Sequence, residues 1–240
     1  IVSTPTDTHL KTIQEIFKSG CPRAILCEKP LANDIKTADQ IVKLSDAHNC
    51  QLYVNFTRRA DPAVKEVKKR ISDGRILSPI KGVAWYSKGM LNNGSHLIDL
   101  IRYWLGPVSS SKLISAGRFC EDDLEPDVSI EFQRGVVSFF AAREEDFSYF
   151  AVELVSASGR LRYDCGGENV SWQSAVMSQT NGDYRVLDFK IESLSNEADI
   201  YQYKILEELS AALKRGTSNL CTGNDALRVN EIISGIKGLL

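Results

Sequence analysis

Ala24-Ile25-Leu26-Cys27-Glu28-Lys29-Pro30 joins four apolar residues directly to two opposite charges and a proline. Continuous apolar runs of this kind are typical of strands that are buried on both faces of a parallel sheet. Comparable runs occupy residues 1–4 and 52–54, and segments with a single apolar helical face separate the three runs. The alternation predicts βαβ units, which form half of a doubly wound domain.

Helix-start signals support this alternation. Asp34 is placed to cap the helix before the run at 52–54, and Asp61 followed by Pro62 begins the next helix. Three strands make a poor domain by themselves, and an apolar first strand ordinarily has neighbours on both sides. We therefore expect a parent protein that supplies earlier strands before Ile1.

From about residue 79 the pattern changes to the alternation of half-buried strands with short turns. Residues 128–132 and 136–142 predict one hairpin, and residues 151–155 and 160–163 predict another. Three helices are predicted beside these strands: about Gly94 to Leu105, about Asp199 to Gly216, and one capped by Asn224.

The predicted fold class is therefore α/β, with a partial doubly wound, Rossmann-like parallel sheet followed by an α+β domain. The sheet of this second domain is predicted to be open and largely antiparallel. We place the first domain at residues 1–76 and the second at residues 77–240, and we expect the closing helices to pack back on the first domain.

The composition is that of a globular chain, because 43% hydrophobic and 25% charged residues exclude disordered and collagen-like proteins. Lys and Arg number 29 against 31 Asp and Glu, so no global field recruits nucleic acid or an anionic membrane. No apolar run approaches the roughly 18 residues that a spanning helix needs, and no leader-like segment precedes the first strand. We expect a soluble, cytoplasmic protein without nucleic-acid or membrane partners.

The cysteines and histidines give no indication of a metal site. The six cysteines include no C-x-x-C pair and several lie in apolar runs, which favours core thiols in a reducing compartment over the alternative of disulfides. His9, His48 and His96 lack the paired spacing of metal-binding motifs. No metal site is predicted.

Two stretches with candidate chemistry follow predicted parallel strands, at the edge where open α/β sheets bind ligands. Thr4-Pro5 could face a cofactor there, although a plain strand-to-helix turn explains the pair as well. Glu28-Lys29-Pro30 holds Lys29 beside apolar surroundings, where a lysine loses part of its preference for the charged form and can pass a proton. A solvated charged turn is the alternative. Pro30 restricts the backbone of Lys29 and is a candidate cis-proline.

A third stretch is Asn92-Asn93-Gly94-Ser95-His96-Leu97-Ile98-Asp99. His96 lies near a predicted helix start, and Asp99 is placed to orient or charge its imidazole. A structural histidine is the alternative, and Asn93 and Ser95 also fit the pattern of helix caps.

Arg58 and Arg59 follow the third predicted strand. They could place guanidinium groups over the same crevice, and solvated surface charge is the alternative.

Four motifs occur in this chain in the order V-S-T-P-x-x-x-H, C-E-K-P-L-A, V-N-F-x-R-R-x-x-P and G-S-H-L-I-D-L. Their order and spacing resemble those of the Gfo/Idh/MocA family, which is named for glucose-fructose oxidoreductase, inositol dehydrogenase and a rhizopine catabolism protein. The motif likeness runs from Ile1 to about Leu105. It implies an NAD(P)-dependent oxidoreductase of sugars, cyclitols and related polyols, with residues 1–76 as the second half of a dinucleotide-binding domain. It also implies a homodimer or homotetramer formed through the C-terminal sheet.

The resemblance implies roles for individual residues. Lys29 and His96 would be catalytic: Lys29 hydrogen-bonds the reacting oxygen and shares its proton, and His96 is the partner acid or base. The implied cofactor-binding residues, for NAD or NADP, are Thr4, Pro5, His9, Glu28, Lys29, Pro30 and Arg59. The implied substrate-binding residues, for a sugar or polyol, are Lys29, Asn92, Asn93, His96 and Asp99.

Two features depart from the family pattern. Many members carry an aspartate four residues before the histidine, where this chain has Asn92, which cannot titrate. Lys29 with His96 may then suffice, Asp99 may assist, or the substrate may differ. In addition, no G-x-G-x-x-G occurs in the 240 residues. At roughly 30 residues per βαβ unit, we expect about 60 to 80 residues before Ile1, and we expect the 240-residue chain alone to be inactive.

Two functions follow as expectations. The first is hydride transfer between a nicotinamide cofactor and a sugar or polyol by the parent enzyme. The alternative is a non-catalytic sugar-binding or oligomerisation module derived from such an enzyme, which would account for Asn92 and for the start at Ile1.

Overall fold

The computed structural model describes residues 1–180, 182–197 and 200–240. The helices and strands of the first part are, in chain order, α1 (His9–Ser19), β1 (Ala24–Cys27), α2 (Ile35–Ala47), β2 (Gln51–Val54), α3 (Pro62–Ser72), β3 (Ile80–Tyr86), α4 (Ser95–Leu105), β4 (Val108–Ser115), β5 (Phe119–Cys120) and β6 (Asp123–Leu124). Those of the second part are β7 (Asp127–Phe132), β8 (Gly135–Ala141), β9 (Ala151–Ser156), β10 (Gly159–Asp164), β11 (Asn169–Met177), β12 (Arg185–Leu187), β13 (Glu192–Leu194), α5 (Tyr201–Arg215), β14 (Cys221–Thr222) and α6 (Gly223–Lys237).

A small sheet is built from the first strands of the chain. β1 and β2 are parallel, Val2 joins β1 through a parallel bridge to Cys27, and β14 pairs antiparallel with β2. Alternate residues of β1 enter two different cores: Ile25 lies in the main one, and Leu26 packs with Ile205 of α5 in a second. The prediction of parallel strands buried on both faces is confirmed, because helices cover each side of this sheet.

The second sheet has nine strands, in the order β12-β11-β10-β9-β3-β8-β7-β4, with β13 also paired to β11. β3 and β8 are parallel to each other, and the other pairs of this sheet are antiparallel. Both predicted hairpins, β7–β8 and β9–β10, are present. The prediction of an open, largely antiparallel second sheet is confirmed.

The main hydrophobic core is continuous from Val2 in the first sheet to Ile236 in the last helix. α6 contacts α2, α4 and β2, and α5 contacts the turn that follows β2. The closing helices thus lie against the first sheet. The boundary between residues 76 and 77 stays a prediction, because the core runs across it.

Side-chain caps define three helix starts. Asp34 accepts from the Thr37 backbone N–H, and Asp61 accepts from two backbone N–H groups of α3, as predicted. The predicted cap at Asn224 is wrong: Thr222 caps α6 in a reciprocal capping box with Asp225, because its hydroxyl lies three residues before that carboxylate. The helix predicted from about Asp199 is α5, and Asp199 itself lies outside the described residues.

None of the helices within the described ranges is both long enough and apolar enough to cross a membrane. All six cysteines are free thiols, and Cys27, Cys50 and Cys221 are buried.

Candidate functional site

A cavity of about 580 Å³ lies at the carboxyl end of the first sheet. Lys29 and Pro30, which follow β1, form one wall. Lys88 and Asn92, from the segment between β3 and α4, form a second wall, and Asp123 of β6 lies beside them. The cavity therefore lies where the strands of an open α/β sheet end, which is the ordinary place for a ligand in such folds.

Lys29 reaches across this cavity. Its Nζ donates to the Asn92 side-chain Oδ1 at 2.7 Å and lies 3.4 Å from the Asn92 backbone oxygen. The peptide bond to Pro30 is cis. Burial lowers the pKa of Lys29, and the nearby positive charges of Arg58 and then Lys88 lower it further, while Glu28 opposes them. A neutral amine, which can accept a proton, is therefore more available here than at an exposed lysine.

Asn92 lies on a π-helical turn, Gly89–Gly94, that carboxylates from a neighbouring hairpin hold in place. Asp123 Oδ2 accepts from the backbone N–H groups of Leu91 at 2.8 Å and Asn92 at 2.9 Å. Glu125 accepts from Gly89 N at 3.0 Å. Because three backbone donors of one turn are anchored to β6 and the residue after it, the turn presents Asn92 to Lys29 in one orientation.

His96 lies in the first turn of α4, four residues after Asn92, and is 9% exposed. Its ring meets Phe56 edge to face, with centroids 5.4 Å apart, and its Nδ1 is buried without a hydrogen-bond partner in the part of the chain that the structure describes. Burial places the pKa of His96 well below its usual value, and the charges of Arg58 and Lys29 act in the same direction. The imidazole is therefore neutral at physiological pH.

Arg58 and Arg59 have different environments although they are adjacent in sequence. The Arg59 guanidinium is buried and bonds Asp99 through Nε at 2.9 Å and Nη2 at 2.6 Å, and Asp225 through Nη1 at 2.9 Å. Arg58 is half-buried, and its guanidinium carbon lies 4.0 Å from the centre of the Phe150 ring. The adjacent charges thus separate into a core ion pair and a cation beside Lys29 and His96.

The structure therefore contradicts the predicted roles of Arg59 in binding a cofactor and of Asp99 in binding a substrate. Arg59 is 4% exposed and Asp99 is 1% exposed, and each satisfies the other inside the core. Neither side chain is available to a cofactor or a sugar. A buried pair with two parallel hydrogen bonds has a structural role here, because either partner alone would be an uncompensated charge.

His9 also needs correction as a cofactor-lining residue. It is 0% exposed, and its ring nitrogens lie 3.0 Å from the Thr4 backbone oxygen and 3.1 Å from the Leu31 backbone oxygen. The imidazole thereby ties together the two loops that follow Val2 and β1. His9 fixes the shape of the sheet edge without reaching its surface.

The remaining predicted residues keep positions at or near the cavity. Thr4 and Pro5 are exposed and follow the bridge between Val2 and Cys27. Glu28 accepts from Asn55 Nδ2 at 2.7 Å. Asn93 is half-buried on the same turn as Asn92.

The described residues fit the nicotinamide half of a dinucleotide. Thr4-Pro5 and Glu28-Lys29-Pro30 leave neighbouring parallel strands at one sheet edge, and their partly exposed groups include hydroxyl, amine and backbone donors. The Gly-rich turn that would bind the diphosphate is not among the 240 residues.

Sequence reasoning missed Asp123, Glu125 and Lys88. Asp123 belongs to a run of four acidic residues interrupted only by leucine, which looks like a solvated turn in sequence. Lys88 adopts a left-handed backbone conformation, with φ 67°, for which neighbouring Gly89 is the only local signal. Their positions at the cavity depend on contacts between segments that are far apart in sequence.

One protein family, several curated proteins and several solved structures are similar to this chain. Residues 1–56 match the family described as "Oxidoreductase family, NAD-binding Rossmann fold". The chain is 32% identical over 226 residues to a D-xylose 1-dehydrogenase [NADP(+)] of Haloarcula marismortui, covering 86% of this chain and 61% of that protein. It is 40% identical over 76 residues to an inositol 2-dehydrogenase of Rhizobium meliloti, covering 32% of this chain and 22% of that protein. The chain thus aligns with less than two thirds of the length of these relatives.

The fold is similar to that of a solved NAD binding oxidoreductase from Klebsiella pneumoniae, with a TM-score of 0.79 at 14% sequence identity. The superposition covers 99% of this chain and 76% of that one. At this identity the similarity establishes the fold alone.

Proposed function

The chain belongs to the Gfo/Idh/MocA oxidoreductase family, and from that premise we propose that it carries the substrate half of an NAD(P)-dependent oxidoreductase of sugars, cyclitols or related polyols. The proposal depends chiefly on one observation. The Lys29 amine is held 2.7 Å from the Asn92 side-chain oxygen in the wall of a cavity, and the positive charge of Lys29 helps to keep the pKa of the nearby His96 low.

The chemistry requires a positioned proton acceptor. When bound, a nicotinamide cofactor accepts the hydride that leaves a carbinol carbon. Lys29 takes the hydroxyl proton of the same carbinol, because its lowered pKa increases the fraction of neutral amine. Asn92 cannot titrate, so its side chain holds the amine in place without exchanging a proton.

His96 supplies the second contact to the reacting oxygen. The ring is 9% exposed and lies four residues after Asn92, so its exposed edge is placed to hydrogen-bond a substrate hydroxyl. Because burial keeps the ring neutral, the imidazole adds a hydrogen bond without adding a further positive charge beside Lys29 and Arg58.

The decisive experiment replaces Lys29 by Met in the whole protein and measures oxidation of sugars and cyclitols with NAD and with NADP. We expect turnover to fall about 10²- to 10⁴-fold, the ordinary contribution of a general base. Lys18→Met is the matched control, since Lys18 is exposed on α1 and pairs only with Glu15. Undiminished turnover in the Lys29 variant, with folding verified by circular dichroism, would overturn the proposal.

A non-catalytic sugar-binding module is the second candidate, and Asn92 favours it because an amide cannot relay protons. Calorimetry of sugar binding with and without NAD(H) separates the two. Coupled binding, in which the nucleotide changes sugar affinity, supports the oxidoreductase. Sugar binding that is indifferent to nucleotide, together with absent turnover, supports the module.

We also propose that the protein is a homodimer or homotetramer that pairs through the outer face of the nine-stranded sheet. Lys81, Val136 and Val155 are adjacent across β8, β3 and β9 in the observed register, and both valines are exposed. Trp85, 38% exposed, lies on the same face against Phe140. Light scattering after size exclusion tests the proposal: a monomer contradicts it, and a dimer lost in Val155→Glu supports it.

A cytoplasmic location is proposed on the chemistry of the thiols. Six unpaired cysteines, three of them buried, suit a reducing compartment. Cell fractionation tests it, and recovery outside the cytoplasm would contradict it.

A further inference from the structure

Arg58 is a cation that has no anionic partner among the described residues. It belongs to the 3₁₀ turn Thr57–Ala60 that follows β2, at the edge of the sheet where Lys29 also lies. Within the described residues its guanidinium makes no hydrogen bond and no ion pair, and its Nε is buried without a partner. Half-buried arginines are ordinarily paired, because a desolvated charge is costly.

Nearby carboxylates are committed elsewhere. Glu28 accepts from Asn55, and Asp61 accepts from the N–H groups of Ala63, Val64 and Glu197. Arg59 takes both Asp99 and Asp225. Among the described residues, carboxylates therefore pair with the neighbouring arginine, and none of them pairs with Arg58.

The guanidinium is also oriented. Its carbon lies over the Phe150 ring at 4.0 Å, a contact that restrains the side chain and leaves donor groups for hydrogen bonds at its edge. A planar fork fixed in this way matches the two oxygens of a carboxylate, or two oxygens of a phosphate.

The electrostatic surroundings point to the same ligand. The positive charges of Arg58 and Lys88 lower the pKa of Lys29, and that of Arg58 also lowers the pKa of His96, so two cations lie near the reacting position. Acidic residues at positions 121 to 123 line the cavity beside Lys88 and Asn92. A negatively charged group on a sugar would thus be repelled by these carboxylates and attracted towards Arg58.

We propose that Arg58 binds an oxyanion carried by the sugar substrate, a carboxylate or a phosphate, so that the enzyme prefers acidic sugars to neutral ones. The inference deepens the proposed function and depends on it for the identity of the reacting site. It assigns to Arg58 the role of a specificity-determining residue for a negatively charged substrate.

The test is calorimetric binding to this chain without nucleotide. Carboxylate probes are D-glucuronate and D-galacturonate, each compared with its neutral hexose and its methyl ester, which keeps the size and removes the charge. D-glucose 6-phosphate and D-galactose 6-phosphate are the phosphate probes. We expect at least one acidic sugar to bind about tenfold or more tightly than its neutral counterparts, as expected for hydrogen bonds to charged groups.

Three variants test whether Arg58 causes the preference for acidic sugars. Arg58→Gln is expected to abolish the charge preference, and Arg58→Lys to retain part of it. Arg228→Gln, on the exposed face of α6 with Glu231, is expected to leave it unchanged. The probe class whose binding is lost in Arg58→Gln identifies the oxyanion. The comparison of acid with ester in the unaltered chain remains informative if a variant fails to fold.

Equal binding of acidic and neutral sugars, no binding of any acidic probe, or a preference that survives in Arg58→Gln would overturn the inference. The results distinguish a failure of this inference from a failure of the proposed oxidoreductase function. Lys29-dependent turnover of neutral sugars without any preference for charge leaves the oxidoreductase and removes the oxyanion site. Arg58-dependent binding of an acidic sugar without turnover leaves the oxyanion site and removes the oxidoreductase.

Discussion

Lys29 and Asn92 are joined by a hydrogen bond of 2.7 Å between two segments that are 63 residues apart in the chain. Lys29 follows strand β1 of the first sheet, and Asn92 lies on the turn that precedes α4. An amide can hold an amine without stabilising its positive charge as a carboxylate would. The pair therefore combines a fixed position with a low proton affinity.

Asn92→Asp should reverse that balance. A carboxylate at this distance favours the charged amine and should raise the pKa of Lys29 by about one to three pH units. Neutral amine then forms only at higher pH, so the rise of oxidation rate with pH should move upwards. NMR of ¹³C-methylated lysines measures the pKa directly and needs no cofactor.

Asn93→Asp is the matched control, since it places the same charge on the same turn. We expect its effect on the pKa of Lys29 to be smaller, because no hydrogen bond joins it to the amine among the described residues. Equal shifts in the two variants would contradict a specific role for Asn92.

His96 should make the fold sensitive to acid. Its pKa is well below 6.5 in the folded protein, so the unfolded chain binds a proton that the native state excludes. The stability associated with the neutral ring is present above about pH 6.5 and is lost as pH falls, at about 1.4 kcal/mol per pH unit. Urea denaturation at pH 7.5, 6.5 and 5.5 measures the slope.

His96→Gln removes the titrating group and should flatten this dependence below pH 6.5. A uniform loss of stability in the variant does not affect the comparison of slopes. A slope identical to that of the unaltered protein would show that other groups cause the acid sensitivity.

Asp99→Asn should cost about 3 to 5 kcal/mol of unfolding free energy, because it leaves the buried Arg59 charge partly uncompensated. Chemical denaturation gives the value. The double variant Arg59→Met/Asp99→Leu should recover much of the loss, since no buried charge remains at either position. Glu15→Gln, which breaks an exposed pair on α1, should be close to neutral. A similarly small effect of Asp99→Asn would be inconsistent with the buried pair.

Gly89→Ala and Gly74→Ala separate backbone strain from steric overlap. Both glycines have left-handed backbones, with φ 85° and 79°. A Cβ at Gly74 meets nothing within 4 Å, so Gly74→Ala should cost about 1 to 2 kcal/mol from strain alone. A Cβ at Gly89 would overlap the Asp123 carboxylate, and about 1 to 3 kcal/mol more is expected.

Gly89→Ala should also weaken sugar binding, because Asp123 cannot keep both of its bonds to the Asn92 turn if it moves away. Thermal unfolding and calorimetry of both variants provide the comparison. Equal losses in the two variants would show that the Asp123 contact does not constrain this turn.

Features encoded by neighbouring residues were predictable from the sequence. The apolar run before Glu28 predicted a doubly buried strand, and the aspartates at positions 34 and 61 predicted helix starts, because each signal involves only a few consecutive residues. The family resemblance also predicted that Lys29, Asn92 and His96 belong to one site. Only Lys29 follows a strand of the first sheet, and Asn92 and His96 come from the turn and helix after β3.

The partners of charged residues were not predictable in this way. Arg58 and Arg59 are equivalent in sequence, and only the three-dimensional structure places Asp99 and Asp225 beside one of them. The same limit applies to Asp123, whose contacts with the Asn92 turn join segments about thirty residues apart. The relative position of two distant segments depends on the whole fold, and the hydrophobic periodicity of the sequence does not predict it.

The antiparallel pairing of β14 with β2 has a consequence for how the chain is made. Cys221 pairs with Val54, and α5 and α6 cover opposite sides of the sheet that the first residues form. During synthesis, the early strands leave the ribosome with one side uncovered until the last helices emerge. The amino-terminal portion therefore depends on completion of the polypeptide, and a chain that stops before residue 200 exposes the apolar strand that carries Lys29 to aggregation and proteolysis.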